Sequence, residues 1–339
     1  MPSDYQLHGL RLRATGSDPV VDNLLRRVLR YKGAEAAASD HPADVTLALR
    51  VDRSPASLPE TTRHIGTSAR CGISVQEGPK QMFLRHEDAT VVVHPDAGRA
   101  EGQVHPALLD ARAREARDPL FHLVVLSLAI LCRHRNWFPL HAAALARDGR
   151  GMVCPAPSGE GKSTITLSLL RDGWSALSDD TVLLRATGEE VVTHAFRKPL
   201  CVDPEAAGRF PELDGPDWPA SLSDTSKWQV DIDRLYPGQS VSVCTPRCLV
   251  LPKIVDAPES RVEPIGAKPA LEQLLRQGAV FLTPTPRVAD RHLAALRQLV
   301  DQTQTHCLHA GRDILSDPHT AHTLLAPLLG DEPTRGAKT

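Results

Sequence analysis

Residues 156 to 164 read Ala156-Pro157-Ser158-Gly159-Glu160-Gly161-Lys162-Ser163-Thr164, a lysine and two hydroxyls behind two closely spaced glycines. That arrangement is suited to binding phosphate. Glycines let the backbone turn its N–H groups inward around anionic oxygens. A helix opening near Gly161 would aim the positive end of its dipole at the same oxygens. In the pattern G-x-x-x-x-G-K-[ST], the lysine (here Lys162) reaches the β and γ phosphates and the following hydroxyl (here Ser163) can ligate Mg²⁺. Ala156 stands where the pattern has its first glycine. Either that position uses an ordinary backbone conformation, or the loop holds phosphate less well.

Asp179 and Asp180 follow 17 and 18 residues after Lys162. A helix, a turn and a strand fill that gap. A strand returning beside the loop would bring adjacent carboxylates to the outer end of a bound phosphate chain. One could associate with a metal, directly or through water, and the other could accept the proton of an attacking hydroxyl. An Asp pair is also common in plain turns. His141 precedes Lys162 by 21 residues, after "FPL". Taken alone, a histidine there is more often a satisfied, partly buried side chain.

These groups need rigid elements to hold them. "PLHAAALARDGRGMVCP" reads as two strands joined by a tight turn at Asp148-Gly149. "STITLSLLRDG" reads as a helix with Ile165, Leu169 and Leu170 on one side and Gly173 just past its end. "WSALSDDTVLLRA" and "EVVTHAF" read as strands, as do "KWQVDID", "CLVLPKIV" and "HCLHAGRD". "KPALEQLLRQG" and "RVADRHLAALRQLVDQ" are helical, the second with His292, Leu296, Leu299 and Val300 on one face. A last helix, within "SDPHTAHTLLAPLLG", begins after a cap at Asp317. Upstream, residues 5 to 110 are a series of short alternating runs, with one helix at 20–31. "LFHLVVLSLAILC" reads as a buried helix behind a polar helical lead, with Pro119 as a break between them. After the loop the order is not a regular βαβα, which argues against a doubly wound nucleoside-kinase sheet.

Composition narrows the classes. The 339 residues are 41% hydrophobic and 24% charged with a formal net charge of -2, which gives no electrostatic case for nucleic acid or an anionic membrane. Aromatic residues make up only 4%, too few for a base-stacking platform. The longest apolar run has 13 residues, short of the roughly 20 needed to span a bilayer. Seven scattered cysteines and no signal-peptide pattern lead to the expectation of a reducing, cytoplasmic setting. Cys244 and Cys248, with His306, Cys307 and His309, are read as buried or strand residues rather than a zinc site.

His141, the 156–163 loop and the Asp179-Asp180 pair together resemble the HPr kinase/phosphorylase family, in its C-terminal P-loop kinase domain, a fold shared with phosphoenolpyruvate carboxykinase. The resemblance runs clearly from about residue 137 to 185 and faintly to about 315. It implies an α/β fold with α+β character. A kinase domain of that type would span 116–330, behind a β-rich region at 1–115 and ahead of a disordered tail at 331–339. It makes Asp180 the general base, Lys162 and His141 active-site groups, Ser163 a ligand of Mg²⁺, Asp179 a metal-associated acid, and ATP and Mg²⁺ the cofactors. The family signature L-E-[IV]-R-G-[LV]-G is replaced here by "CVDPEAAGRF", where Glu205 is the candidate for a metal-binding glutamate. The chain is therefore closer to divergent HPr-kinase-like proteins, some of which phosphorylate serine on ribosomally made peptides such as lasso-peptide precursors. Arg234 and Arg247 are candidate phosphate or substrate clamps, because a guanidinium fork suits phosphoryl oxygens. The expected partner is a peptide or protein carrying Ser or Thr, with no nucleic acid and no membrane. The alternatives are a small-molecule hydroxyl kinase and a nucleotide-binding scaffold or sensor with little turnover. The first 115 residues could recognise the acceptor, mediate a homo-oligomer or complete the kinase sheet.

Overall fold

The computed structural model describes residues 2–38, 41–53, 62–68, 71–109, 118–197, 199–214, 217–278, 285–317 and 319–330. The expected tail at 331–339 and most of the polar lead before Pro119 lie outside them. The chain is mixed α/β with two large sheets and divides into two compact units. The first is Met1–Pro139, Trp218–Gln229 and Phe281–His292. The second is Leu140–Asp217, Val230–Val280 and Leu293–Thr339. The first segment of the first unit runs to Pro139 and so includes the buried helix.

The first unit is built on a nine-stranded sheet. Its strands are β1 (Ser3–Leu7), β2 (Leu10–Gly16), β3 (Glu35–Ala36), β4 (Val45–Val51), β5 (Arg63–Thr67), β6 (Ser74–Glu77), β7 (Met82–His86), β8 (Ala89–His94) and β9 (Arg99–Val104). They lie in the order β3-β1-β2-β4-β9-β8-β7-β6-β5. The β2–β4 and β4–β9 pairs are parallel and the others antiparallel. Helix α1 (Pro19–Tyr31) begins where Asp18 accepts a hydrogen bond from the Val20 N–H and Pro19 needs none. It buries Val21, Leu24, Leu25, Val28 and Leu29 toward β2. Helix α2 (Pro119–His134) is buried on nearly every side and packs on β7, β8 and α1. Pro119 is its first residue, capped by Asp118, so the buried helix begins at the expected break. No helix among the described residues is long and apolar enough to cross a membrane.

The second unit carries an eight-stranded mixed sheet. Its strands are β10 (Phe138–Arg147), β11 (Arg150–Pro155), β12 (Ser175–Ser178), β13 (Thr181–Thr187), β14 (Glu190–Ala195), β17 (Val243–Ile254), β18 (Arg261–Pro264) and β19 (Gln304–Ala310). The short β15 (Leu200–Val202) and β16 (Trp228–Val230) stand apart from it. The sheet order is β11-β10-β13-β14-β17-β19-β18, with β12 paired to β10. β17 pairs first with β14, then in parallel with β11, and finally in parallel with β19. Prolines normally avoid such strands. Pro246 sits at a register shift, and Pro252 lies beyond the end of the β11 ladder. The helices are α3 (Lys162–Arg171), α4 (Pro204–Ala207), α5 (Ile232–Leu235), α6 (Ala267–Gly278), α8 (Asp313–Ser316) and α9 (His319–Leu325), with α7 (Pro286–Gln302) assigned to the first unit as far as His292 and to the second from Leu293. Asp317 accepts from the His319 N–H at 3.0 Å, the cap expected for α9. All seven cysteines are free; burial pushes Cys244 and Cys248 up to about 12.

His292, in the first unit, is 6% exposed and stacks on Phe138 with ring centroids 4.9 Å apart. Its Nε2 is buried without a hydrogen-bond partner among the described residues. Burial, and secondarily the charge of Arg133, pushes its pKa down to about 3. The unfolded chain binds this proton below about 6.5, whereas the folded chain refuses it until pH is far lower. Stability should therefore fall as pH drops from 6.5, by about 2 kcal/mol at pH 5 from this residue. Denaturant unfolding at pH 7 and pH 5 should show that decline in the wild type and a flatter profile in His292→Leu.

Candidate functional site

The phosphate-type loop grows out of a hairpin. β10 and β11 pair antiparallel up to Arg147↔Arg150, leaving Asp148 and Gly149 as the two-residue turn. Both have positive φ, 50° and 76°, the geometry that fits the twist of the strands it joins. The other end of β11 delivers Pro155 to the loop, and β10 carries His141 alongside. Downstream, α3 is fixed at both ends. It starts after Gly161, whose φ of 79° places the N-cap in the left-handed region and which has no side chain to cap the first-turn N–H groups. Those amides therefore face the loop without a side-chain acceptor from their own cap. The helix stops in a Schellman turn: Gly173 N–H bonds to Leu170 O, and Trp174 N–H to Leu169 O. α3 also packs against α9, where Trp174 Nε1 donates to His322 Nδ1 at 3.1 Å.

Within the loop, Ala156 is fully buried and is not among the residues of positive φ. Gly159 and Gly161, at 95° and 79°, are. The first position of the pattern thus needs no glycine here, because the chain enters it with an ordinary conformation. Pro157, Ser158 and Gly159 are exposed. Glu160 ties the loop down, its Oε2 accepting from the Ile254 N–H at the end of β17 at 3.0 Å. Ser163 and Thr164 lie in the first turn of α3, both half-buried.

Lys162 is buried at 7% exposure, with its ammonium held by three acceptors. Nζ donates to Ala156 O at 2.6 Å and to Pro157 O at 2.8 Å, and lies 3.1 Å from His141 Nε2. An ammonium has protons to donate and no lone pair, so His141 Nε2 accepts. The neutral imidazole then carries its hydrogen on Nδ1, which faces Asp180 Oδ1 at 3.4 Å. Burial lowers the pKa of His141; Asp180 opposes this, and the charges of Lys162 and Arg197 add to it. Burial also lowers that of Lys162, against the opposing pull of Asp180 and Asp179.

The two aspartates occupy the bend between β12 and β13 and differ sharply. Asp179 is 2% exposed. Its Oδ2 accepts from Ser163 Oγ at 3.0 Å and from the Cys201 N–H at 3.2 Å, and its Oδ1 is paired with Arg197 Nη2. Asp180 keeps 35% of its side chain exposed. Thr181 Oγ1 donates to its Oδ2 at 2.6 Å, and Arg197 Nη1 lies 3.5 Å from the same oxygen. The Asp180 carbonyl accepts from the Ala142 N–H at 2.9 Å, locking the bend to β10 one residue beyond His141.

His141, Lys162, Ser163, Asp179 and Asp180, singled out from the sequence, are thus brought into one linked constellation. The remaining candidates lie on α4, α5 and β17. Glu205 is exposed in the first turn of α4, its own N–H capped by Asp203 Oδ1 at 2.9 Å. Arg234 is exposed in α5. Arg247 is the residue skipped where the β11–β17 register jumps from Pro246 to Cys248, and it pairs with Glu190 at 3.5 Å. A bulge turns such a side chain away from its strand's regular face. Sequence reading missed Arg197, which is 4% exposed and bridges both aspartates, its Nη1 also 3.3 Å from Cys201 Sγ. An arginine in "HAFRKPL", with no acid at helical or strand spacing, carries no local signal.

The donor set suits a phosphate chain and a hard cation. The loop offers glycine-permitted backbone turns and an uncapped helix start, and Ser163 Oγ has a carboxylate to take its proton and leave its lone pairs for a metal. No family model matches the chain, and no curated protein matches it. Among solved structures, the chain is similar to the Hpr(Ser) kinase/phosphatase from Coxiella burnetii, at 16% identity over 38% of this chain and 77% of that one, with a TM-score of 0.26. A likeness at that score fixes neither the fold type nor the activity of this chain, for which the geometry above has to speak.

Because Ala156 already sits in an ordinary conformation, restoring the pattern should bring no benefit. Ala156→Gly is expected to leave triphosphate affinity by calorimetry unchanged and to lower unfolding stability by about 0.5–1 kcal/mol through added backbone freedom.

Proposed function

We propose that this chain is an ATP- and Mg²⁺-dependent phosphotransferase that moves the γ-phosphoryl group to a hydroxyl, serine on a peptide or protein being the acceptor class. The observation that carries the reading is the contrast between the two aspartates beside one phosphate-type loop. Asp179 is buried and saturated with donors, whereas Asp180 is open to solvent next to Lys162 and His141. Only the open carboxylate can meet an incoming hydroxyl, so Asp180 takes the proton as the acceptor oxygen attacks. Phosphoryl transfer asks mainly for positioning and charge stabilisation, and a modest base suffices.

The other groups follow from their contacts. The loop amides and Lys162 would hold the β and γ phosphates. Lys162 would redirect some of its donors from the Ala156 and Pro157 carbonyls toward phosphate oxygen. His141 Nδ1–H orients Asp180. Asp179 accepts from Ser163 and so keeps that hydroxyl turned as a metal ligand. Mg²⁺, when bound with the nucleotide, neutralises charge on the phosphate oxygens. The choice of serine on a peptide draws on the sequence resemblance to divergent HPr-kinase-like proteins, including those that modify lasso-peptide precursors.

The test is incubation with ATP, Mg²⁺ and seryl peptides or metabolite mixtures, read by mass spectrometry. A phosphoserine on peptide is expected. Phosphorylated metabolites alone would move the reading to a small-molecule kinase. Tight ATP binding with no product would leave a nucleotide-binding scaffold. Asp180→Asn should lower turnover by about 10²–10⁴-fold with ATP affinity retained, and Lys162→Ala should lose both. Normal turnover in Asp180→Asn would remove the base assignment.

A further inference from the structure

We propose that Arg197 is an internal stand-in for a divalent cation, which keeps the Asp179–Asp180 pair from binding metal until a nucleotide brings it. This rests on the reading of the loop as a nucleotide site, and goes beyond it by assigning a role to the residue that pairs with both acids.

Adjacent carboxylates at the mouth of a site ordinarily attract a hard dication, which wants several oxygen ligands in near-octahedral arrangement. Here the guanidinium lies across both acids. Nη2 pairs with Asp179 Oδ1, and Nη1 stands 3.5 Å from Asp180 Oδ2. The planar fork of arginine is shaped for such a bridge. The remaining Asp179 oxygen already accepts from Ser163 and Cys201, and Asp180 Oδ2 accepts from Thr181. Lys162 supplies a second cation, and its charge interacts with both acids. With His141 neutral, two cations face two carboxylates and the constellation carries no net charge. A free dication would meet two buried positive groups and acids whose lone pairs are largely taken. A triphosphate changes the balance, because its own negative charge exceeds that of the two cations and provides fresh oxygen ligands. Metal capture then follows the nucleotide.

The prediction concerns occupancy and not turnover. Mn²⁺ in place of Mg²⁺ can be titrated into nucleotide-free protein and followed by electron paramagnetic resonance. The wild type and Arg197→Lys, which keeps the charge, should leave the free-ion signal essentially unchanged, and ATP should bring a bound population to the wild type. Arg197→Met should bind Mn²⁺ without nucleotide, about tenfold tighter than wild type or more, and Mn²⁺ should raise its melting temperature but not that of the wild type. Should Arg197→Met be unfolded in plain buffer, recovery of its fold on adding Mn²⁺ supports the proposal, and continued unfolding with Mn²⁺ overturns it. Nucleotide-free binding by the wild type as tight as by Arg197→Met also overturns it. The two readings fail separately. Loss of the metal pattern with phosphoryl transfer intact removes the stand-in role alone, and an intact metal pattern with no transfer to any acceptor removes the phosphotransferase alone.

Discussion

A carboxylate in a dry interior stays ionised only if something nearby compensates it, and Asp179 is held in place by that requirement. Its partner Arg197 is equally buried, so each would be costly to strand without the other. Around this pair the site assembles outward. The same carboxylate fixes the Ser163 hydroxyl and the Cys201 backbone, joining the first turn of α3 to the segment that carries β15. The arginine extends to Asp180, and Asp180 faces His141, whose other nitrogen meets Lys162. Six side chains from four stretches of sequence thereby constrain one another. The two neighbouring aspartates differ sharply in burial, Asp179 closed off and Asp180 partly open.

The scaffold keeps that chain of contacts in register. β10 and β11 form one hairpin, so His141 and the loop leave the antiparallel ladder at the same end, just beyond the Ala142↔Pro155 pair. The bend holding the acids is fastened back onto β10 through Ala142. α3 begins on a left-handed glycine and ends on another, so its length and direction are set independently of what it packs against. A shift of one residue in the hairpin would move His141 to the opposite face of its strand and break the link to Lys162.

Local chemistry made much of this legible in the sequence. The Asp148-Gly149 turn, the Gly173 stop, the Asp317 cap and the amphipathic face of α1 each depend on neighbours a few residues away, and each is where the pattern placed it. The grouping of His141, Lys162 and the acid pair was legible only through resemblance, because nothing in their spacing alone demands contact. What escaped notice was long-range. Arg197 gains its meaning from acids that are distant along the chain. Arg247 stands at a register shift and Glu205 in a four-residue helix, neither of which the sequence pattern announces. Pro119 is where the sequence pattern breaks and where α2 opens, because proline fits the first turn of a helix but not its interior.

The hold on Lys162 carries a thermodynamic corollary. A free lysine side chain has up to about 2 kcal/mol of rotamer entropy to surrender when a ligand immobilises it. Here two carbonyls and an imidazole have already frozen the chain out to its tip. Association with an anion would therefore exchange one set of acceptors for another, with little disorder left to extinguish, and its temperature dependence should be dominated by enthalpy rather than by the ordering of this residue.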